Sequence, residues 1–129
     1  DLPFEEWFIT WVRAAFRANK NAKVISDLIN WSDEISGIGR EKQKQFLEYC
    51  MEMFRQALLI NYKIPELVYI KPESATFKLE NFAPFVNDKN ILDIYQEISD
   101  AMYHVERNGN PKIIFTDLSI KLTRLIHRK

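Results

Sequence analysis

The sequence predicts an all-α domain, a compact bundle of five main helices with one additional short helix. Apolar residues recur at spacings of three and four along several long segments, which is the period of an amphipathic helix. Only three glycines and five prolines interrupt the 129 residues. Hydrophobic residues make up 47% of the chain and aromatic residues 13%, which is too apolar for a disordered segment and enough for one core.

Three helices with short connections are predicted in the first half of the chain. The first runs from about Pro3 to Asn19, with proline at an early position where its missing N–H costs nothing. The second runs from about Ala22 to Ser36 and is ended by the glycines of residues 37–39. The third and longest runs from about Arg40 to Tyr62 and carries a wide apolar arc, which is typical of a central helix.

The helical period is lost from Lys63 to Lys78, where two prolines flank a short apolar run. We expect a connector that crosses the surface, because no nearby segment offers a pairing partner for a strand. A short helix follows and turns near Pro84. A fourth main helix is predicted from about Asp88 to Arg107, with a clear apolar face at helical spacing.

The closing helix has the strongest predicted start in the chain. Asn110 stands where a helix N-cap belongs and Pro111 where the first helical residue belongs. From there the helix is expected to run to the end of the chain. Its broad apolar face consists of Ile114, Phe115, Leu118, Leu122, Leu125 and Ile126.

The two last main helices carry apolar residues away from their principal faces. Ile113 and Ile120 are seven residues apart and fall roughly opposite the broad face of the closing helix. Leu92 and Tyr103 form a similar minor stripe on the helix before it. A helix at the edge of a small domain needs only one apolar face, so these four residues are predicted to contact another protein.

The charge balance argues against nucleic acid and the hydropathy argues against a membrane. Eighteen basic and eighteen acidic residues cancel, so the chain has no net positive field. Helix 2, the glycine turn and helix 3 superficially resemble a helix-turn-helix, but a recognition helix is polar and helix 3 is mostly apolar.

No apolar run approaches membrane-spanning length, and no signal peptide is visible. A single cysteine fits the cytoplasm, and a first residue other than methionine indicates an excised domain.

Candidate catalytic and metal-binding residues are few, and we predict no catalytic, cofactor or metal site. Cys50 lies on the apolar arc of helix 3 and is interpreted as a core residue. Glu97, Asp100 and His104 share one helix side. A di-iron bundle needs the motif Glu-x-x-His twice, and Asp100 is one residue too far from His104 for that motif. His127 fits complementation of a helix dipole. The three tryptophans are expected to pack in the core.

Three segments together resemble a known family: residues 39–50, 77–85 and 106–113. They are similar to the C-terminal region of delta-prime subunits of bacterial DNA polymerase III clamp loaders, in a Bacteroidetes-like version. The similarity runs over essentially the whole chain. The sequence Asn110-Pro111-Lys112 before an aliphatic helix also resembles the end of gamma/tau-type subunits, and the residues alone do not separate the two.

The resemblance implies that residues 1–129 are one C-terminal helical oligomerisation domain of a longer AAA+ protein. In that family the C-terminal domains of five subunits join into a collar, which holds the ATP-binding modules that load the sliding clamp on primed DNA. The partners implied are the other clamp-loader subunits, and the domain itself would be non-catalytic, without a cofactor, and cytoplasmic. Two alternatives stay open: a free-standing helical module with an unrelated partner, and a small enzyme using Cys50 or the Asp100/His104 pair.

Overall fold

The computed structural model describes residues 3–18, 23–69, 72, 74 and 76–128. The helices in this part of the chain are α1 (Phe4–Ala18), α2 (Lys23–Ser36), α3 (Arg40–Asn61), α4 (Leu79–Phe82), α5 (Ile91–Glu106) and α6 (Pro111–Ile126). Short 3-10 turns cover Pro65–Leu67 and Ala83–Phe85, and no described residue lies in a strand. The all-α prediction of five long helices and one short helix is confirmed. None of these helices is long and apolar enough to cross a membrane.

The predicted helix boundaries agree with the structure to within a few residues. The expected boundaries at Asn19 and Ala22 lie outside the described residues. The closing helix was predicted to run to the end of the chain, but it ends at Ile126, because the chain turns at His127. The start of α5 was predicted near Asp88. The helix begins three residues later because residues 87–90 form a turn of their own. In this turn the backbone N–H of Asn87 donates to Asn90 Oδ1 at 3.0 Å.

Helix α1 packs against α2, α3 and α6. Trp11 of α1 is fully buried and stacks on Trp31 of α2, with ring centroids 4.8 Å apart and planes 4° apart. Its indole N–H donates to Ser119 Oγ of α6 at 2.8 Å. Helix α6 packs in turn against α5, which rests on α3. The tryptophans are therefore core residues as predicted, although Trp7 is only half-buried.

The turn between α5 and α6 reverses the chain at Asn108, whose φ of 62° lies in the left-handed region. The N–H of Gly109 then donates to His104 O at 2.9 Å, which satisfies a carbonyl at the end of α5. A Cβ atom at position 109 would lie 3.0 Å from both that oxygen and Ile114 Cδ1, so a larger residue would crowd the turn. As predicted, Asn110 caps α6, because its side chain accepts from the N–H of Ile113 at 3.2 Å.

We expect Asn110→Ala to lower the free energy of unfolding by about 1 kcal/mol, because it removes the side-chain cap. Asn110→Ser is the matched control, since its hydroxyl oxygen can accept the same bond and should retain most of the stability. Urea unfolding followed by circular dichroism measures both variants. Equal stability of the alanine and serine variants would show that the cap contributes nothing.

Candidate protein interface

Helix α6 has a buried face toward the bundle and an apolar stripe on its outer side. Phe115, Leu118, Leu122, Leu125 and Ile126 are buried, and Ile114 is half-buried. On the outer side, Ile113 is 67% exposed and Ile120 is 45% exposed. Both residues lie where the sequence predicted, and an exposed aliphatic pair on one helix side is a starting point for a protein contact.

Ile120 lines an apolar groove between α2 and α6. The groove has a volume of about 380 Å³. It is lined by Ala18, Ile25, Leu28, Ile29, Ser32, Thr116, Ser119, Ile120, Thr123 and Arg124. Ile25 and Ile29 of α2 are exposed on its wall. Ile113 lies outside the groove lining, about two turns from Ile120 along α6. We call this groove together with Ile113 the α2/α6 surface.

Ile25 and Ile29 belong to the apolar pattern of helix 2 in the sequence, but in the structure both are exposed. The buried positions of α2 include Val24, Leu28 and Ile35, which follow helical spacing. Ile25 and Ile29 each come one residue after a buried position, which rotates them about 100° around the helix. This offset from the buried positions is visible in the sequence. It indicates an exposed groove wall only once α6 is known to lie beside α2.

Charged side chains border the α2/α6 surface, while its centre is apolar. Arg124 lines the groove near the C-terminus of α6. Toward the N-terminus of α6, Lys112 Nζ lies 3.1 Å from Asp33 Oδ1 of α2. An apolar centre inside a charged rim is the usual anatomy of a protein–protein interface.

The predicted pair on α5 forms a second exposed site. Leu92 is 76% exposed and Tyr103 is 52% exposed. They are eleven residues apart, about three helical turns, and therefore lie on the same side of α5. Neither residue lines the groove between α2 and α6. The structure thus brings Ile113 and Ile120 together on one surface and leaves Leu92 and Tyr103 on another, which we call the α5 surface.

Cys50 is buried in the core, as predicted from its place on the apolar arc of α3. Its side chain has no solvent exposure. Burial raises the pKa of the Cys50 thiol well above its usual range, because the charged thiolate would be desolvated. A nucleophilic cysteine needs access to substrate and a thiolate at neutral pH, and this environment provides neither.

Glu97, Asp100 and His104 line a small depression of about 80 Å³ between α5 and α6. Lys121 occupies part of it, with Nζ 2.9 Å from Asp117 Oδ2 and 3.4 Å from Glu97 Oε1. The hydrogen bond to Asp117 raises the pKa of Lys121, so the lysine is charged. Its positive charge offsets the negative charges of Asp117 and Glu97. Among the residues the structure describes, no three His, Cys, Asp or Glu side chains are grouped so that they could hold a metal ion.

His127 follows the last turn of α6 and joins it to α1. Its Nδ1 lies 2.7 Å from Thr123 O and its Nε2 lies 2.9 Å from Phe16 O. The contact with a carbonyl of the last turn agrees with the predicted role at the helix C-terminus. Arg128 extends this connection, because its Nη1 lies 2.6 Å from Asp93 Oδ2 of α5. These residues fasten the end of the chain to the bundle.

We compared the chain with protein-family models, curated proteins and solved structures, and none of them matches it.

Proposed function

We propose that this chain is a non-catalytic helical assembly domain that holds a clamp-loader subunit in its oligomeric complex. The observation that carries the proposal is the α2/α6 surface, where Ile25, Ile29 and Ile120 are exposed around an apolar groove. Ile113 is exposed on the same helix, about two turns from Ile120. Exposed aliphatic residues with a charged border favour a helical partner docked against this face. The resemblance to delta-prime C-terminal regions supports the identity of that partner as another clamp-loader subunit.

Two exposed surfaces on different helices suit a subunit that belongs to a ring. In a head-to-tail ring each subunit contacts one neighbour through one surface and the other neighbour through a different surface. The α2/α6 surface and the α5 surface provide such a pair. A single two-fold dimer would need only one self-complementary patch, so the second surface favours a collar over a simple dimer.

In this function the domain contributes contacts between proteins and performs no chemistry. The partners are the other subunits of the loader, and the complex acts in the cytoplasm during DNA replication. ATP binding and contact with the sliding clamp belong to the AAA+ modules that the family carries before this domain. No cofactor and no direct contact with DNA is needed here.

The test is assembly of the full-length protein that carries this domain with the other clamp-loader subunits of its organism. We expect Ile113→Asp combined with Ile120→Asp to weaken assembly at least about tenfold, because two carboxylates would be desolvated in an apolar contact. Leu92→Asp combined with Tyr103→Asp should weaken a separate contact. Size-exclusion chromatography and sedimentation of the mixed subunits measure both effects.

Tyr62→Asp combined with Leu67→Asp is the matched control, because both residues are exposed and apolar but belong to neither surface. This control should assemble like the unmodified protein. If the Ile113/Ile120 variant also assembles normally, the α2/α6 surface is not a subunit contact. Binding to an unrelated protein, with no binding to loader subunits, would instead favour the free-standing interaction module.

A further inference from the structure

A pocket between α1 and the segment leading into α4 shares no residue with the α2/α6 surface or the α5 surface. Its volume is about 580 Å³, which is within the range of typical ligand sites. It is lined by Val12, Arg13, Phe16, Arg17, Thr76, Phe77, Lys78, Asn81, Phe82 and Phe85. The floor is apolar, because Val12, Phe77 and Phe82 are almost completely buried and turn only small parts of their surfaces toward the opening.

Three cations surround this apolar floor. Arg13, Arg17 and Lys78 contribute positive charge, and none of the described lining residues is a carboxylate. In the part of the chain that the structure describes, none of the three forms a salt bridge. Asp27 and Glu34 line a neighbouring depression together with the two arginines, and none of the salt bridges among the described residues joins these acids to the arginines. The pocket is therefore locally positive in a chain whose net charge is zero.

The arginines are held in place before any ligand arrives. Arg13 Nη2 donates to Thr76 O at 2.7 Å and to Thr76 Oγ1 at 3.2 Å. Its guanidinium carbon also lies 5.7 Å from the centre of the Phe77 ring, within the range of a cation–π contact. Arg17 Nε donates to Arg13 O at 3.3 Å, which leaves its two terminal nitrogens for an anion. Fixed guanidinium groups lose less conformational entropy when they bind a carboxylate.

The aromatic residues are arranged for an apolar side chain more than for a stacked nucleobase. Phe77 and Phe82 are each only 8% exposed, so neither offers an open ring face. Phe16 is stacked on His127, with centroids 5.6 Å apart and planes 20° apart. A base needs an open face, whereas an inserted side chain needs only an apolar cavity.

The geometry points to a binding site for an acidic peptide segment of a partner protein. A large apolar side chain of that segment enters the pocket, and adjacent carboxylates pair with Arg13, Arg17 and Lys78. Charge complementarity selects this occupant, since three cations and no carboxylate are among the described lining residues, and such a lining repels a basic peptide and favours an acidic one. Arginine also matches carboxylate geometry through two parallel hydrogen bonds. This site is independent of the proposed subunit contacts.

The probe is a fluorescein-labelled peptide, Gly-Asp-Phe-Asp-Leu-Gly with an amidated C-terminus, and binding is followed by fluorescence anisotropy on the whole chain. We expect saturable binding that weakens as salt is added. Replacing both aspartates of the peptide by asparagine, or its phenylalanine by glycine, should each weaken binding at least about tenfold. These changes are made in the ligand and leave the protein fold intact.

On the protein, Arg17→Glu combined with Lys78→Glu should also weaken binding at least about tenfold. Lys42→Glu combined with Arg107→Glu is the control, because it changes the net charge equally at exposed residues that do not line the pocket. Circular dichroism establishes that each variant is folded. Equal binding of the asparagine peptide, or an equal loss in the control, would overturn the proposal. So would tighter binding of oligothymidylate that is lost in the Arg17/Lys78 variant, since the site would then serve nucleic acid.

Discussion

Replacing Trp11 with alanine is expected to lower the free energy of unfolding by about 3–5 kcal/mol. Trp11 is fully buried, stacks on Trp31 and donates a hydrogen bond to Ser119. It therefore connects α1, α2 and α6 at one point, and alanine would leave a cavity where these three helices meet. Small domains are stable by only about 5–15 kcal/mol, so this single change removes a large share. Thermal unfolding should show a melting temperature lower by on the order of 10–20 °C.

Trp11→Phe keeps part of the ring packing and removes the hydrogen bond at the same position. It retains a smaller aromatic ring against Trp31, and it loses both the bond to Ser119 Oγ and the packing of the rest of the indole. Ser119 still donates to Phe115 O at 2.7 Å, so its hydroxyl retains a partner. We expect a loss of about 1–2 kcal/mol for this variant. If the alanine variant were as stable as the phenylalanine variant, packing of the aromatic ring at position 11 would not stabilise the contact between α1, α2 and α6.

The helices were predictable because their signals are local. The cap and first proline of α6 are adjacent in sequence, and the apolar spacing within each helix reports its buried face directly. The exposed positions of Ile113 and Ile120 followed from the same spacing, because they lie opposite a complete apolar face. A surface formed by a single helix can therefore be recognised in the sequence.

The groove was not predictable, because it depends on which helices are neighbours. Ile25 and Ile29 belong to α2, and Ile120 is roughly ninety residues further along the chain. The basic pocket has the same origin, since Arg13 of α1 meets Thr76 only through the fold. The spacing of apolar residues within one helix does not indicate which residues of other elements will lie beside it. The sequence consequently predicted exposed residues without predicting the cavities that they help to form.

Asn90 shows the same limit for a buried polar residue. In the sequence it appeared only as part of a helix start, yet its side chain is 1% exposed and fully bonded. Its Nδ2 donates to Phe85 O at 2.8 Å and to Leu125 O at 2.9 Å, while its Oδ1 accepts from Asn87. The amide thus ties the end of α6 to the turn before α5, through a partner thirty-five residues away.

We expect Asn90→Asp to lower the free energy of unfolding by about 3 kcal/mol or more at pH 7. The substitution replaces a donor to two carbonyl oxygens with a second carboxyl oxygen. An ionised carboxylate there would be buried and would face those two oxygens, which disfavours the charge more than the N-terminus of α5 favours it. Equilibrium unfolding in urea measures the loss against the unmodified chain.

The stability lost in Asn90→Asp should depend on pH, and the sign of this dependence follows from the linkage between proton binding and folding. Burial raises the pKa of the new carboxyl in the folded state above its unfolded value of about 3.9, so the folded chain holds the proton more tightly. Stability relative to the unmodified protein is therefore highest below about pH 3.9, and it falls as pH rises through the folded-state pKa. Asn87→Asp is the control, because the Asn87 oxygen already accepts from the N–H of Lys89 at 2.9 Å and a carboxylate can do the same. If both variants show the same pH dependence, the acid at position 90 is solvated and Asn90 does not fasten α6 to the turn before α5.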